Sequence, residues 1–221
     1  MTPLRVVLAD DHFLVREGLR RLLDDGDDIE VVAEAASAPE LLAAVRRTAP
    51  DAVLTDVRMP PGLRTEGIDA ALTIRAEHPA VGVVVLSQHA EAAYARRLLQ
   101  DGTSGLAYLL KERVADREEL VRALVSVASG GSVIDPRIVD ALMRERQRSE
   151  RSPLRLLTER ETDVLREMAQ GRTNASVARR LHVSESALSK HITSIFGKLG
   201  LEEDPLVDRR VRAVLAYVTE R

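Results

Sequence analysis

The chain has 221 residues, of which 45% are hydrophobic, 30% are charged and only 2% are aromatic. Because it contains no cysteine, disulfides, thiolate catalysis and cysteine-ligated zinc sites are excluded. No apolar run reaches the ~18 residues that span a bilayer. The N-terminal sequence also meets acidic residues too early for a secretory signal, so we expect a soluble, cytoplasmic protein that does not contact a membrane.

The net charge of −3 is unevenly distributed along the chain. Residues 1–130 carry 15 basic and 21 acidic side chains, whereas residues 154–221 carry 12 basic and 10 acidic ones. The N-terminal part of the chain is therefore acidic, and the C-terminal part is slightly basic. A small basic excess is only a weak indication of nucleic-acid binding, because affinity depends on where the lysines and arginines lie.

Five short apolar segments within the first 130 residues alternate with helical patterns. The segments are Val-rich and apolar throughout, which is typical of parallel strands covered on both faces. Each is followed by apolar residues three or four apart, which predicts a helix. Five strand–helix repeats predict an open, doubly wound α/β domain. The predicted strands are residues 4–9, 29–35, 52–55, 81–86 and 106–110.

The remaining residues are predicted to form a linker and a second domain. Glycines 130 and 131 end the fifth repeat. Residues 131–153 are expected to be a linker with a short polar helix from Pro136. Residues 154–221 show helical patterns only, which predicts a small all-α domain. Its four predicted helices are residues 158–170, 174–181, 184–199 and 205–219.

Chemically distinctive residues follow four of the five predicted strands. Asp10 and Asp11 follow the first, Asp56 the third, Ser87 the fourth and Lys111 the fifth. Ligands of open parallel sheets bind outside the carboxyl ends of the strands. Three carboxylates on one edge repel each other, and Mg²⁺ or a similar cation would relieve that repulsion. With a lysine and a hydroxyl beside them, the carboxylates predict a site that accepts a phosphoryl group.

This set of residues resembles the receiver domain of bacterial response regulators over residues 3–130. The positions that carry the resemblance are Asp10, Asp11, Asp56-Val57-Arg58-Met59-Pro60, Ser87, Tyr108 and Lys111. The resemblance implies a flavodoxin-like fold with strand order 2-1-3-4-5. It also implies that a sensor histidine kinase phosphorylates the chain at Asp56.

The resemblance further implies roles for the neighbours of Asp56. Asp11, Asp56 and the Arg58 carbonyl would hold Mg²⁺, with Asp10 acting partly through water. Ser87 and Lys111 would bind the phosphoryl oxygens, and Tyr108 would be a rotating switch residue that fills the space left by the serine. Two features depart from the common pattern: residues 61–66 form a loop about three residues longer, and Glu112 follows the lysine where proline is frequent.

A helix-turn-helix is predicted in the second domain. Thr158 and Glu161 have capping-box spacing, and Gly171 ends the helix that they open. Asn174 and Ser184 are expected to cap the next two helices. A short helix, a tight turn and a second amphipathic helix form this motif, although an ordinary helical bundle gives the same pattern.

The detailed sequence resembles the LuxR/NarL-type DNA-binding domain over residues 154–219. The segments that carry the resemblance are 157–165, 171–174, 177–184, 191–192 and 198–200. It implies that residues 184–199 form a recognition helix in the major groove of double-stranded DNA, where residues 185, 186, 189, 190, 193, 194 and 197 are exposed. The residues expected to contact bases or phosphates are Arg172, Thr173, Asn174, Ser186, Ser189, Lys190, Thr193 and Lys198. Residues 187–190 differ from the usual Thr-Val-Lys, since the lysine is displaced to Lys190.

Partners and alternatives follow from the same residues. A homodimer is expected when the protein is active. The last helix is a candidate interface, and its apolar residues Val207, Val211, Val214, Leu215 and Val218 are divided between the core and that interface in a way the sequence does not specify. No enzymatic activity is expected. An aspartyl-phosphate hydrolase would need a second acid near Asp56, for which Glu66 is the candidate. A regulator whose first domain acts through protein contacts, without phosphorylation, is the other alternative.

Overall fold

The computed structural model describes residues 2–114, 116–201 and 208–219. These residues form two compact units, which divide between Met143 and Arg144. No helix in these ranges combines the length and the apolar character that a membrane crossing requires.

A parallel sheet forms the centre of the first unit. Its strands are β1 (Leu4–Ala9), β2 (Ile29–Ala35), β3 (Ala52–Asp56), β4 (Gly82–Ser87), β5 (Leu106–Leu110) and β6 (Ser132–Ile134). Their order is β2-β1-β3-β4-β5-β6, and all neighbouring strands are parallel. The helices between them are α1 (Phe13–Asp24), α2 (Ala38–Thr48), α3 (Glu66–Glu77), α4 (Ala92–Leu99) and α5 (Arg117–Ala128). The predicted doubly wound fold is confirmed.

Each face of the sheet has its own apolar core. Successive side chains of a strand point to opposite faces. Val7 therefore belongs to the core cluster that includes residues of α2, α3 and α4, and Leu8 belongs to the cluster that includes residues of α1 and α5. Both side chains are fully buried, and each contributes about 2 kcal/mol by leaving water. Because neither face of β1 meets solvent, the strand is apolar at consecutive positions.

The sixth strand was not predicted. It lies within residues 131–153, for which the sequence indicated a linker, and it pairs with residues 106–108 of β5. Three residues are too few to show the two-residue period of a strand. Gly130, whose φ is +78°, provides the left-handed turn that leads from α5 back to the sheet edge. The helix predicted from Pro136 follows as α6 (Pro136–Arg151).

Four helices build the second unit around a small core. They are α7 (Glu159–Ala169), α8 (Asn174–Arg180), α9 (Glu185–Lys198) and α10 (Arg209–Thr219). Val164, Val177, Leu188 and Ile195 are fully buried at its centre. His182 adopts a φ of +53° in the turn between α8 and α9. This arrangement confirms the all-α second domain.

Two of the three predicted helix caps are present. Thr158 and Glu161 form the capping box of α7, and the Ser184 side chain accepts the Ala187 N–H at the start of α9. The prediction that Asn174 caps α8 was wrong. Thr173 is the N-cap, and its side chain accepts the N–H of the third helical residue. Both residue types cap helices well, so the sequence pattern did not choose between them.

The last helix buries residues other than most of the apolar residues singled out in the sequence. Ala213 and Tyr217 are its buried residues, and Val214 is partly buried against the core. Residues 202–207, which include Val207, lie outside the described part of the chain. The remaining large apolar residues are more than half exposed, namely Val211, Leu215 and Val218.

Candidate functional site

Two carboxylates and a lysine meet at the carboxyl edge of the sheet. Lys111, after β5, places its Nζ atom 2.7 Å from Asp10 Oδ2 and 2.8 Å from Asp56 Oδ1. Asp10 follows β1 and is fully buried, and Asp56 ends β3 and is 7% exposed. The parallel topology therefore brings together predicted site residues from three separate strands.

The two carboxylates compete for a single ammonium group. Burial raises the pKa of Asp56, although the hydrogen bond and the charge of Lys111 act to lower it. Burial also opposes the charge on Lys111, but its hydrogen bonds to Asp10 and Asp56 prevail and raise its pKa. The site therefore holds more negative charge than Lys111 neutralises, and a bound cation would stabilise it.

Asp11 supplies an oxygen that fits a metal ion. Its Oδ1 atom is shielded from solvent and makes no hydrogen bond to any described residue, although His12 Nδ1 lies 2.8 Å away. Asp11, Asp56 and Arg58 line one pocket. Both oxygens of Asp10 are already engaged, Oδ1 by the His12 N–H at 2.9 Å and Oδ2 by the lysine. The donors fit a divalent cation that prefers oxygen, with Asp11 and Asp56 as the available carboxylates.

Gly67 is a site residue that the sequence analysis missed. A Cβ atom at this position would lie 1.7 Å from the Asp56 carbonyl oxygen. The Gly67 N–H donates to the Val57 carbonyl at 3.0 Å. Only glycine lets α3 begin this close to the backbone of Asp56. Its position after the long 61–66 loop was visible in the sequence, but the close approach depends on tertiary packing.

Ser87 lines the pocket, whereas Tyr108 is not among its lining residues. The Ser87 hydroxyl donates to the His89 carbonyl at 2.8 Å, so it has to turn before it can meet a phosphoryl group. Tyr108 is fully buried, and its hydroxyl lies beside the Ser87 hydroxyl. This burial raises its pKa to about 12. The resemblance implies a tyrosine that fills the space left by Ser87, and in this structure the ring is already buried.

The Arg58 side chain crosses the pocket to α4, a contact that the sequence analysis did not anticipate. Its Nη2 atom donates to Glu91 Oε1 at 2.8 Å and to the Tyr94 hydroxyl at 3.3 Å. The guanidinium carbon also lies 5.9 Å from the centroid of the Tyr94 ring. Because Arg58 and Glu91 both line the pocket beside Asp56, this contact connects the loop after β3 with the start of α4.

In the second unit, the predicted base-reading residues form one exposed row on α9. Leu188 and Ile195 anchor the opposite side of the helix in the core. Spacings of three and four residues place the row on a single helical face. The exposed residues of the row are Ser186, Ser189, Lys190 and Thr193.

The predicted phosphate contacts before α8 are engaged within the unit. Arg210 donates to the Arg172 carbonyl and to Asn174 Oδ1, the latter at 2.6 Å. The Arg172 side chain lies 2.8 Å from Glu167 Oε2, and the Thr173 hydroxyl caps α8. These side chains shape the turn that leads into α8.

Lys198, also predicted to contact phosphate, forms an ion pair inside the unit. Its Nζ atom lies 2.7 Å from Oε2 of the buried Glu161. Ser194, expected to be exposed, is half-buried and donates to Glu161 Oε1 at 2.7 Å. Burial opposes the charge on Glu161, but the hydrogen bonds from Lys198, Ser194 and Thr158 prevail and lower its pKa to about 2. Every oxygen of this carboxylate is therefore satisfied.

Two family models match the chain, one in each unit. A model described as the response regulator receiver domain matches residues 6–125. A model described as bacterial regulatory proteins of the luxR family matches residues 155–207.

Individual proteins are similar over nearly the whole length. The transcriptional regulatory protein DegU of Brevibacillus brevis is 34% identical over 217 residues, which covers 90% of this chain and 89% of DegU. The nitrate/nitrite response regulator protein NarP of Escherichia coli (strain K12) is 33% identical over 222 residues, covering 100% of this chain and 97% of NarP. A solved structure of the two-component response regulator RcsB in a complex with DNA has a TM-score of 0.59 and 25% identity, covering 99% of this chain and 98% of that one.

Proposed function

Because this chain belongs to the bacterial response regulators that join a receiver domain to a LuxR-type DNA-binding domain, we propose that phosphorylation of Asp56 by a partner histidine kinase controls its binding to DNA. The chain is a regulator of transcription, and no enzymatic activity is proposed for it. The proposed division is a receiver at residues 1–130, a linker at 131–153 whose first residues add β6 to the receiver sheet, and a DNA-binding domain at 154–221. The observation that carries the proposal is the buried site in which Lys111 lies between Asp10 and Asp56.

Asp56 suits the role of phosphoacceptor. One of its oxygens attacks the phosphorus of a phosphohistidine, and the O–P bond forms as the N–P bond breaks. The histidine nitrogen takes the electron pair. Lys111, 2.8 Å from Asp56, is placed to balance the charge of the transferring group. Burial limits the access of water to the acyl phosphate that results.

A divalent cation, Mg²⁺ or one similar to it, completes the proposed site. Asp11, Asp56 and the Arg58 carbonyl would hold it, and Asp10, whose oxygens are both engaged, would act through water. When bound, the cation would neutralise charge on the phosphoryl oxygens.

The proposed response to phosphorylation begins at Ser87. A phosphoryl group adds negative charge and three acceptor oxygens. Ser87 then leaves the His89 carbonyl and donates to one of these oxygens. Tyr108, which is buried beside Ser87, is proposed as the switch residue that adjusts to this movement, so the change passes to β5 and α4. Such a ligand shifts an equilibrium between two surface states.

For DNA, we propose that α9 enters the major groove with Ser189, Lys190 and Thr193 towards base edges and Ser186 beside them. These side chains are exposed and lie on one face. The predicted phosphate contacts Arg172, Thr173, Asn174 and Lys198 already bind within the unit. These four residues therefore hold the surrounding surface in place, and the exposed row on α9 supplies most of the specificity.

The exposed apolar side of α10 supports a homodimer. Val211, Leu215 and Val218 are 53%, 58% and 59% exposed, and their spacing places them along one stripe. Helix-turn-helix proteins usually read paired half-sites as dimers. We therefore propose that two copies of the active protein meet through α10.

The hydrolase alternative depends on Glu66 as the second acid. Burial opposes the charge on Glu66, but hydrogen bonds from the backbone, including the Arg64 N–H at 2.6 Å, prevail and lower its pKa. A general acid needs the opposite shift. Glu66 also lines a separate pocket between α2 and α3. These observations favour a regulator over a hydrolase.

Intact-mass measurement tests the phosphoacceptor directly. The wild type and Asp56→Asn are incubated with Mg²⁺ and acetyl phosphate, a small phosphodonor. We expect one phosphoryl group on the wild type and none on the variant. Equal modification of both proteins would refute the assignment of Asp56. If neither protein is modified, the receiver acts through protein contacts alone.

A further inference from the structure

We propose that the Arg58 side chain binds the phosphoryl group on Asp56. We call its present contacts with Glu91 and Tyr94 the latch, because they hold the first turn of α4 until Asp56 is phosphorylated. This inference rests on the proposed phosphorylation of Asp56. In the structure, the guanidinium binds Glu91 and Tyr94. When Asp56 carries a phosphoryl group, the guanidinium exchanges these partners for phosphoryl oxygens, and the first turn of α4 is released.

The position of Arg58 makes the exchange geometrically simple. Its backbone N–H donates to Asp56 Oδ2 at 3.2 Å, so the side chain starts beside the Asp56 carboxylate. Arg58 lines the same pocket as Asp56, Ser87 and Glu91. Its side chain is 51% exposed, and a long, half-exposed side chain changes rotamer at little cost.

The phosphoryl group competes well with the present partners of Arg58. Glu91 offers one negative charge, and its pair with Arg58 is open to solvent, where ion pairs are weak. A phosphoryl group offers more charge and three oxygens. The planar guanidinium binds phosphate through two parallel hydrogen bonds. The contact with the Tyr94 hydroxyl, the longer of the two at 3.3 Å, is lost in the same movement.

Helix α4, which carries the partners of Arg58, buries few of its side chains. α4 has eight residues, of which only Ala95 and Leu98 are buried. Glu91 is its N-cap residue, but the side chain makes no capping hydrogen bond because it is directed to Arg58. The contacts of Arg58 with Glu91 and Tyr94 are therefore a polar restraint on the first turn of α4.

A second ion pair on α4 provides a matched control. Arg97, in the last turn, lies 2.5 Å from Asp69 and donates to Thr65 at 3.1 Å. This pair also ties α4 to a neighbouring segment, but it does not line the pocket beside Asp56. Asp69→Asn therefore loosens α4 without touching the proposed latch.

Hydrogen exchange at residues 92–99 of the full-length protein tests the latch. In the wild type, acetyl phosphate with Mg²⁺ should speed several-fold the exchange of the amides of residues 95–99, because Ala95 and the residues after it donate to carbonyls of the first turn and the N-cap. Glu91→Gln should exchange at that faster rate without the phosphodonor and respond little to it. Asp69→Asn should exchange faster in both conditions and keep the response. Wild-type exchange in unphosphorylated Glu91→Gln would overturn the latch.

The phosphorus resonance of the phosphorylated protein tests the ligand role. Arg58→Ala keeps the backbone carbonyl but removes the guanidinium, so it should shift the resonance and raise the pH at which it titrates. Glu91→Gln leaves the guanidinium in place and should not. An unchanged resonance in Arg58→Ala would overturn the ligand role. Intact masses of the same samples separate the latch from the proposed function. A phosphorylated wild type with unaltered α4 exchange contradicts the latch alone. A wild type that gains no phosphoryl group contradicts the proposed function.

Discussion

Each unit of this protein buries a lysine against carboxylates, but the two clusters differ in how completely the charges are satisfied. In the second unit, Glu161 receives hydrogen bonds on both oxygens, and its pKa falls to about 2. In the first unit, Lys111 is shared by Asp10 and Asp56, and the pKa of Asp56 is raised. A neighbouring carboxylate oxygen, Asp11 Oδ1, makes no hydrogen bond within the described chain.

The difference separates a structural cluster from a binding site. Lysine and acid are present in both places, so residue types alone do not distinguish them. A carboxylate whose pKa falls stabilises the folded state, whereas one whose pKa rises is held at a cost. The cluster of the first unit is arranged for a ligand that brings positive charge, and the cluster of the second unit is complete without one.

Substitution of Glu161 and of Asp56 should have the most different effects on the free energy of unfolding. Glu161→Gln leaves Lys198 half-buried without its partner, and we expect the second unit to lose about 3 kcal/mol of unfolding free energy. Asp56→Asn removes a carboxylate that is held at a cost, so the first unit should be unchanged or more stable. Unit-resolved hydrogen exchange under denaturant measures both. Equal losses of unfolding free energy in the two variants would contradict the difference between the two clusters.

Acid should act on the two clusters in opposite directions. The folded pKa of Glu161, about 2, lies below its ordinary value of 4.5. Its stabilisation is therefore full above pH 4.5 and is lost as the pH falls towards 2. The raised pKa of Asp56 has the reverse sign, so its cost disappears on acidification. Thermal melts from pH 6 to pH 3 measure both effects. The difference in melting temperature between the wild type and Glu161→Gln should become smaller as the pH falls. Over the same range, the wild type should become more stable relative to Asp56→Asn.

The same contrast predicts different roles for two lysines near DNA. Lys190 is exposed on α9, and Lys190→Ala should weaken specific binding by about 2 kcal/mol. Lys198 is paired with Glu161, so Lys198→Met should chiefly lower the stability of the second unit. Binding isotherms at several salt concentrations, measured well below the melting temperature, separate the two. A larger salt-dependent loss of DNA affinity for Lys198→Met than for Lys190→Ala would show that Lys198 contacts DNA.

The smallest expected effect concerns α10. Leu215→Ala removes an exposed apolar side chain from the proposed dimer stripe and should weaken dimers of the phosphorylated protein by about 1 kcal/mol. Arg212→Ala, on the same helix, is a control for changes outside the stripe. Sedimentation equilibrium measures both. A dimer affinity that Leu215→Ala leaves unchanged would place the interface elsewhere.

Strand ends and helix patterns were readable from the sequence because they depend on local periodicity. The predicted bounds of β1, β2 and β5 match the structure, since a strand buried on both faces is apolar throughout. Asp10, Asp56 and Lys111 could be placed at one edge because parallel strands share their carboxyl ends. Three residues of β6 carried too little pattern to be recognised.

Side-chain partners were not readable, because they depend on which elements pack together. Glu161 and Lys198 are 37 positions apart, and only the packing of α7 against α9 makes them neighbours. Lys198 therefore seemed free for phosphate, and Arg58 was assigned only through its carbonyl. The need for glycine at position 67 likewise depends on how closely α3 approaches β3.

Genome-wide footprinting with and without acetyl phosphate, on the wild type and Asp56→Asn, tests the central claim most directly. We predict that the phosphodonor increases occupancy of a defined set of sites for the wild type and leaves Asp56→Asn unchanged. Equal increases in both proteins, or wild-type occupancy that ignores the phosphodonor despite confirmed phosphorylation, would contradict control of DNA binding through Asp56.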